Sequence, residues 1–272
     1  MTQLSVGLST CPNDTFLFAP LLEGRVETPG LDLTFELADV QELNEGIVEG
    51  RFDVSKASFA AAFDLSDRYG VLPVGSALGF GVGPVLLSRP DRVSVRLDKS
   101  ARVLCPGSKT TATLLMRSLH PEVTRLSHCR FDQIIPKLLA GEADAGVCIH
   151  EGRFTYQDQG LALRDDLGQS WEQQTGHPVP LGGLLCRRSL PEEAVGQLIA
   201  ILRRSLEISR ADPDLALPTM RNYATELSDD VIWRHVELYV NDHTTDLGPV
   251  GKNCLHELAK RTGHSGELVI LG

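Results

Sequence analysis

His150 is the residue of this sequence whose type and position best suit acid–base chemistry. It follows the apolar run 143–149, which has the length and composition of a buried strand. An imidazole titrates near neutral pH, so a histidine held at a strand end can take a proton from a bound molecule. Cys148 lies two residues earlier, on the same face of such a strand, which leaves a Cys–His nucleophile pair as a less favoured alternative. The other alternative is a structural histidine that caps the next helix.

The segment 106–111 has the residue types that hold a small anion. It contains Pro-Gly-Ser-Lys-Thr-Thr, in which Gly107 permits a tight turn and Thr110 and Thr111 offer hydroxyls. A helix that begins here points its backbone N–H groups and the positive end of its dipole at a bound carboxylate or single phosphate. The spacing is not that of a nucleotide-binding P-loop. The structural alternative is an ordinary helix N-cap.

The segment Lys56-Ala57-Ser58 combines a cation and a hydroxyl directly after another predicted strand, 52–55. As for segment 106–111, one interpretation is functional, a site that binds an anion, and the other is structural, the start of a helix. In the functional one, the lysine and the serine contact an anionic ligand. In the structural one, Ser58 caps the following helix and Lys56 is solvated.

These segments all follow predicted strands, in a chain that alternates strands with helices from its first residues. The predicted strands are 4–8, 31–37, 52–55, 71–77, 84–88, 101–105, 143–149, 161–164 and 184–187. Such alternation is typical of α/β proteins whose sheets have much parallel character. Ligands of open α/β sheets bind beyond the carboxyl ends of the strands. The strand-end segments, including Cys-Pro-Asn-Asp-Thr at 11–15, therefore converge if two sheets face one cleft.

Two stretches without clear strand or helix periodicity divide the chain, at 89–100 and at 178–183. They predict a larger, discontinuous lobe made of residues 1–95 and 185–272 and a smaller lobe made of residues 96–184. Two crossings between lobes recur in the periplasmic-binding-protein-like fold of type II, which holds its ligand in a central cleft. We therefore expect this two-lobed α/β architecture.

The composition excludes several classes of protein. The 272 residues include 36 acidic and 26 basic side chains, a net charge of −10, which disfavours general binding to nucleic acid or to an anionic membrane. The sequence contains neither a signal-peptide pattern nor an apolar run of about 18 residues that would span a membrane. The six cysteines lack Cys-x-x-Cys spacing, and no His, Asp or Glu set has the spacing of a metal site. These features predict a cytoplasmic protein with reduced thiols and no metal.

Several longer motifs are specific enough to identify a family. They are Ser-Thr-Cys-Pro-Asn-Asp-Thr-Phe at 9–16, Gly-Ser-Lys-Thr-Thr-Ala at 107–112, Ile-His-Glu-Gly-Arg-Phe-Thr-Tyr at 149–156, Asp-Leu-Gly at 166–168, Pro-Leu-Gly-Gly at 180–183 and Leu-Ser-Asp-Asp-Val-Ile-Trp at 227–233. They are spread over nearly the whole chain. Through them the sequence resembles the 1,4-dihydroxy-6-naphthoate synthase family, which acts late in the futalosine route to menaquinone.

The resemblance implies a cytosolic enzyme with the two-lobed fold expected above. Its reaction would convert cyclic dehypoxanthine futalosine, a small-molecule carboxylate, to 1,4-dihydroxy-6-naphthoate with loss of a sugar-derived fragment. This is a carbon–carbon lyase reaction without a metal or redox cofactor. The family's catalytic histidine falls on His150. Its substrate-contacting positions fall on Lys56, Ala57, Ser58, Thr110 and Thr111.

Other functions remain open at this point. A sister enzyme of the same pathway, a chorismate dehydratase, has a related fold and another substrate, although His150 and the motif at 11–14 favour the later step. A non-enzymatic protein that binds small anions for a transporter would require an export signal. A ligand-sensing domain of a regulator would require a DNA-binding segment. The sequence does not predict the oligomeric state.

Overall fold

The computed structural model describes residues 1–150, 152–224, 228–264 and 268–272, and its strands form two mixed sheets. The strands are β1 (Thr2–Ser9), β2 (Leu31–Ala38), β3 (Val54–Ser58), β4 (Tyr69–Val71), β5 (Ala77–Gly79), β6 (Val85–Ser88), β7 (Arg102–Cys105), β8 (Arg125–His128), β9 (Ala145–Cys148), β10 (Ala162–Asp166) and β11 (Val179–Arg187). The first sheet has the order β2-β1-β3-β11-β4, with β5 also paired to β11. The second has the order β10-β6-β9-β7-β8.

Helices connect these strands and cover the sheets. They are α1 (Pro12–Leu22), α2 (Val40–Val48), α3 (Phe59–Asp64), α4 (Thr111–Leu119), α5 (Ile134–Leu139), α6 (Gly152–Thr155), α7 (Leu167–Thr175), α8 (Glu192–Ala211), α9 (Leu217–Tyr223), α10 (Asp229–Tyr239), α11 (Asp242–Thr245) and α12 (Gly248–Thr262). Side-chain caps begin several of them; Asp39, for example, accepts from the backbone N–H of Gln41. Among the described residues, no helix is both long and apolar enough to cross a membrane.

The long helix α8 shows how local periodicity builds the core. Its sequence repeats apolar residues at helical spacing, which predicts one buried face, and this face packs against α1 and the first sheet. The residues of that face are Val195, Leu198, Ile199, Leu202 and Leu206, and all of them are buried. The prediction of one buried face at helical spacing is therefore confirmed.

The strands β3 and β11 differ from the sequence-based expectation. β3 extends to Ser58, so Lys56, Ala57 and Ser58 lie within the strand, and placing them in a turn after it was wrong. They pair antiparallel with Gly182, Gly183 and Leu184, of which we expected the two glycines to lie in a connection. The glycines explain the difference, since a Cβ at Gly182 would lie 2.6 Å from the carbonyl oxygen of Ala57. Gly182 therefore lets the two strands approach closely.

The chain crosses between the sheets at 80–84 and at 176–178. β6 lies within the segment 1–95 of the predicted larger lobe, yet it pairs with strands of the second sheet. β11 begins within the segment 96–184 of the predicted smaller lobe, yet it pairs with the first sheet. The sheet to which each strand belongs thus puts both crossings earlier in the sequence than the predicted boundaries. The division of the chain into two lobes at those boundaries stays a prediction. We placed the first boundary at 89–100 because that stretch is polar, but its polarity reflects exposure to solvent. The first crossing is instead a short glycine-rich segment.

An ion pair away from the cleft joins the end of α4 to β10. His120 Nε2 lies 2.7 Å from Asp165 Oδ2, and His120 Nδ1 lies 3.2 Å from Glu122 Oε1. The hydrogen bond to Asp165, supported by that to Glu122, raises the pKa of His120 above its usual 6.5 despite partial burial. The hydrogen bonds from His120 and Ser170 lower the pKa of Asp165.

We expect this pair to contribute about 1 kcal/mol to stability over a defined pH window. On the histidine side, the contribution is complete below pH 6.5 and is lost as the pH rises through the raised pKa of folded His120. On the aspartate side, it is lost as the pH falls through the lowered pKa of Asp165. The free energy of urea unfolding, measured from about pH 5 to about pH 9, checks this. The difference between the wild type and His120→Gln should shrink toward high pH, and a constant difference would contradict the prediction.

Candidate active site

A cleft of about 680 Å³, including its mouth, lies between the two sheets. Residues at the carboxyl ends of β1 and β3 line one side, together with β11 and α10. Residues that follow β7 and β9 line the other. The cleft collects all the site residues predicted from the sequence, which are Lys56, Ala57, Ser58, Thr110, Thr111 and His150. Their roles in binding and catalysis stay predictions.

His150 sits where the chain turns after β9. Its φ of 54° lies in the left-handed region, which few residues other than glycine adopt and which is common at functional sites. Its Nδ1 lies 3.4 Å from the sulfur of Cys11, on the first-sheet side of the cleft. The ring packs edge to face with that of Phe131, with the ring centroids 5.0 Å apart. The imidazole is thus held at the point where the two sides of the cleft meet.

The hydroxyls of Thr110 and Thr111 are already used within the protein. Thr110 Oγ1 donates to the carbonyl oxygen of Gly107 at 2.9 Å and accepts from the backbone N–H of Thr113, which makes it the N-cap of α4. Thr111 Oγ1 donates to the carbonyl oxygen of Leu181 on β11 at 2.6 Å. Thr110 therefore caps the helix, as the structural alternative expected, while its contact with a ligand stays a prediction. Thr111 ties the two sides of the cleft together.

Three donors of the cleft lining remain: two backbone amides at the start of α4 and one hydroxyl at the end of β3. Within the part of the chain that the structure describes, the N–H groups of Thr111 and Ala112 have no hydrogen-bond partner, as expected for a first helical turn. Ser58 Oγ accepts from Asn44 Nδ2 at 3.2 Å, which leaves its own proton for another acceptor. Thr111, Ala112 and Ser58 all line the cleft. Together these groups suit a carboxylate.

Lys56 is a member of a buried ion pair. Its Nζ donates to Asp14 Oδ1 at 2.5 Å and to the carbonyl oxygen of Gly75 at 3.2 Å. The side chains of Lys56 and Asp14 are each only 7% exposed. The alternative of a solvated lysine is therefore wrong. Because Asp14 balances the cation, Lys56 brings little net charge to the cleft.

His235 and Tyr239 on α10 also line the cleft, and sequence reasoning missed both. The His235 ring stacks on that of His150, with the centroids 6.2 Å apart, and lies tilted against that of Tyr239, with the centroids 4.5 Å apart. Burial, with the nearby His150 and Lys56, holds the pKa of His235 well below its usual 6.5. Burial likewise raises the pKa of Tyr239 to about 12, so both side chains are neutral at cellular pH.

Arg153 fixes the first crossing between the sheets. Its guanidinium binds both oxygens of Asp166, at 3.1 and 2.7 Å. The same group donates to the carbonyl oxygens of Gly81 and Gly83, at 3.0 and 3.1 Å. Glu151, whose role the sequence left open, lies outside the described residues.

The described residues contain no group of three or more histidine, cysteine, aspartate or glutamate side chains arranged to hold a metal ion. All six cysteines are free thiols. Burial raises the pKa of Cys105, Cys186 and Cys254 to about 12, which keeps these three protonated.

Comparison with solved structures confirms the predicted α/β, periplasmic-binding-protein-like architecture. A crystal structure of a protein from Archaeoglobus fulgidus, 31% identical, superposes with a TM-score of 0.89 over 96% of this chain and 98% of that one. A Candida albicans protein, described as having the generic periplasmic binding protein fold, gives a TM-score of 0.71 at 10% identity, over 100% of this chain and 98% of that one. At that identity the likeness concerns the fold alone.

Comparison with known sequences addresses the family. A family model described as menaquinone biosynthesis matches residues 4–264. A 1,4-dihydroxy-6-naphthoate synthase of Thermus thermophilus is 44% identical over 258 residues, 95% of this chain and 93% of that protein. One of Streptomyces coelicolor is 38% identical over 275 residues, 99% of this chain and 96% of that protein. The chain therefore belongs to the menaquinone biosynthesis family, among the relatives named 1,4-dihydroxy-6-naphthoate synthase.

Proposed function

We propose that the protein is a carbon–carbon lyase that converts cyclic dehypoxanthine futalosine to 1,4-dihydroxy-6-naphthoate. The observation that carries the proposal is one cleft lined both by the imidazole of His150 and by carboxylate donors that have no partner among the described residues. The names of two relatives that match nearly the whole chain support the choice of reaction.

The substrate's ring carboxylate binds between the start of α4 and the end of β3. It accepts hydrogen bonds from the backbone N–H groups of Thr111 and Ala112 and from the hydroxyl of Ser58. The positive end of the α4 dipole adds attraction for the anion. Thr110 acts through its N-cap, which holds this first turn in place. Ala57, a small residue, widens the adjoining wall.

His150 acts as the general base. Its neutral imidazole takes a proton from the substrate, and the electron pair that remains drives cleavage of a carbon–carbon bond as the sugar-derived fragment departs. Aromatisation of the second ring supplies the driving force. Contacts across the cleft, such as Cys11 with His150 and Thr111 with Leu181, keep water from the intermediate.

The direct test is to incubate the purified protein with cyclic dehypoxanthine futalosine, without added cofactor, and to follow products by mass spectrometry. Formation of 1,4-dihydroxy-6-naphthoate supports the proposal. Chorismate is tested in parallel, because its dehydration would assign the protein to the sister activity instead. Saturable binding of the futalosine compound without turnover would indicate a binding protein.

Replacing Ser58 with alanine should raise KM for the proposed substrate roughly 10- to 100-fold, because a hydrogen bond to a charged group is worth about 1.5–3 kcal/mol. The loss should fall mainly on KM, since the carboxylate is bound equally in the ground and transition states. Ser55→Ala is the matched control on the same strand. Its hydroxyl donates to the carbonyl oxygen of Lys56, away from the cleft lining. Equal KM changes in both variants would contradict the role of Ser58.

A further inference from the structure

The ring of His235 carries a nitrogen that has no hydrogen-bond partner in the described part of the chain. His235 is 2% exposed and lines the cleft beside His150. Its Nδ1 is buried, and no hydrogen-bond partner for it exists among the described residues. A buried polar atom left unpaired costs about 1–3 kcal/mol, so such an atom in a ligand cleft points to a bound molecule.

The neighbours of His235 fix which ring nitrogen holds the proton. Lys56 Nζ and Asn13 Nδ2 both donate to Asp14 Oδ1, at 2.5 and 2.9 Å. Reversing the Asn13 amide would set its oxygen against that carboxylate, so Asn13 Oδ1 faces His235 Nε2, at 3.0 Å. An amide oxygen only accepts, and Nε2 must therefore be the protonated nitrogen. In a neutral imidazole Nδ1 is then bare and can only accept a hydrogen bond.

We propose that His235 is a substrate-binding residue that accepts, through this bare Nδ1, a hydrogen bond from a substrate hydroxyl. On the proposed function, on which this inference rests, the donor is a hydroxyl of the sugar-derived part of the substrate. The ring is held on one side by Tyr239 and lies 6.2 Å from His150. The hydrogen bond therefore places the sugar-derived part, which carries the bond to be broken, beside the base. An ether or a second carboxylate at this position would leave Nδ1 unpaired and be rejected.

Two substitutions separate binding from packing. Glutamine at 235 keeps a donor near the position of Nε2, facing Asn13, but has no atom at the position of Nδ1. Asparagine at 235 keeps an amide oxygen near the position of Nδ1. We expect His235→Gln to lower kcat/KM roughly 10- to 100-fold. We expect His235→Asn to lower kcat/KM much less, because its amide oxygen can still accept the hydrogen bond. Equal losses in the two variants would show a structural role and overturn the inference.

Nitrogen-15 NMR of histidine-labelled protein tests the same idea without turnover. The inactive His150→Asn variant is used, and His235 is assigned from the signals lost in His150→Asn/His235→Gln. The free protein should show a bare Nδ1 and a protonated Nε2. A protonated Nδ1 would overturn the inference whatever the reaction is.

Adding cyclic dehypoxanthine futalosine to the labelled protein should shift the Nδ1 signal toward that of a hydrogen-bonded nitrogen. The signals of His256, an exposed residue on α12, should stay in place. Saturable binding without a shift at Nδ1 would overturn the inference and leave the proposed function standing. Absence of any binding would overturn the proposed function and, with it, the hydroxyl contact.

Discussion

His150→Asn should lower kcat at least 100-fold while the protein remains folded. General-base catalysis is typically worth about 10²–10⁴ in rate, and asparagine cannot take a proton at neutral pH. The imidazole lies in the cleft with its Nδ1 3.4 Å from the sulfur of Cys11, so the substitution removes a basic group from the point where the two sides meet. The measurement is single-turnover formation of 1,4-dihydroxy-6-naphthoate by each protein.

The choice of asparagine follows from the backbone at this position. At a φ of 54°, an ordinary L-residue is strained, whereas asparagine visits the left-handed region more readily. His150→Ala should lose the same activity and, in addition, about 1 kcal/mol of stability. Equal kcat in the two variants, with unequal unfolding free energies, would separate the chemical role of the side chain from the cost of the backbone conformation.

The control for His150 is another histidine away from the cleft. His256 on α12 is exposed and takes no part in the cleft lining, so His256→Asn should keep full activity. Full activity in His150→Asn would remove this residue from the mechanism. The cleft would then have to supply its base from another group, and Cys11, whose sulfur lies 3.4 Å from the imidazole, would be tested next.

The position of His150 could be predicted because it depends on local sequence. An apolar run of strand length ends at this residue, and the carboxyl ends of strands in an α/β sheet face the ligand. The helix start at the end of segment 106–111 was also predicted correctly, since Thr110 has the side chain of an N-cap. Such features depend on a few consecutive residues.

Features made by distant residues could not be predicted in the same way. His235 meets Asn13 across 222 positions of sequence, and its only local signal is a place on the buried face of α10, beside Ile232 and Tyr239. The strand β8 was missed because it is largely exposed and polar, so it carries no apolar periodicity. Pairing of Lys56 with Asp14 likewise depends on how α1 packs over β3, which no spacing in the sequence records.

The ion pair between Lys56 and Asp14 leads to the largest expected effect on stability. Lys56→Met should lower the free energy of unfolding by about 3–5 kcal/mol, because it leaves the carboxylate of Asp14 buried without its cation. The pair is 2.5 Å apart, and each side chain is only 7% exposed. Since whole domains are stable by about 5–15 kcal/mol, the change should be plain in urea unfolding.

A surface pair of the same length provides the control for Lys56. Lys109 Nζ also lies 2.5 Å from a carboxylate, Asp64 Oδ2, but these side chains are 45% and 41% exposed. Lys109→Met should therefore cost less than about 1 kcal/mol, because water replaces the lost partner. Losses of equal size in the two variants would contradict the argument from burial.

The double variant Lys56→Met/Asp14→Asn decides whether the cost is that of an unpaired charge. Asparagine at 14 is neutral and can still accept from Asn13, so the double variant should recover much of the stability lost in Lys56→Met. No recovery would show that the lysine stabilises the fold through packing of its methylene chain rather than through its charge. Recovery of stability without recovery of activity would separate the fold from the chemistry, because Asp14 and Asn13 also hold the imidazole of His235 in the cleft.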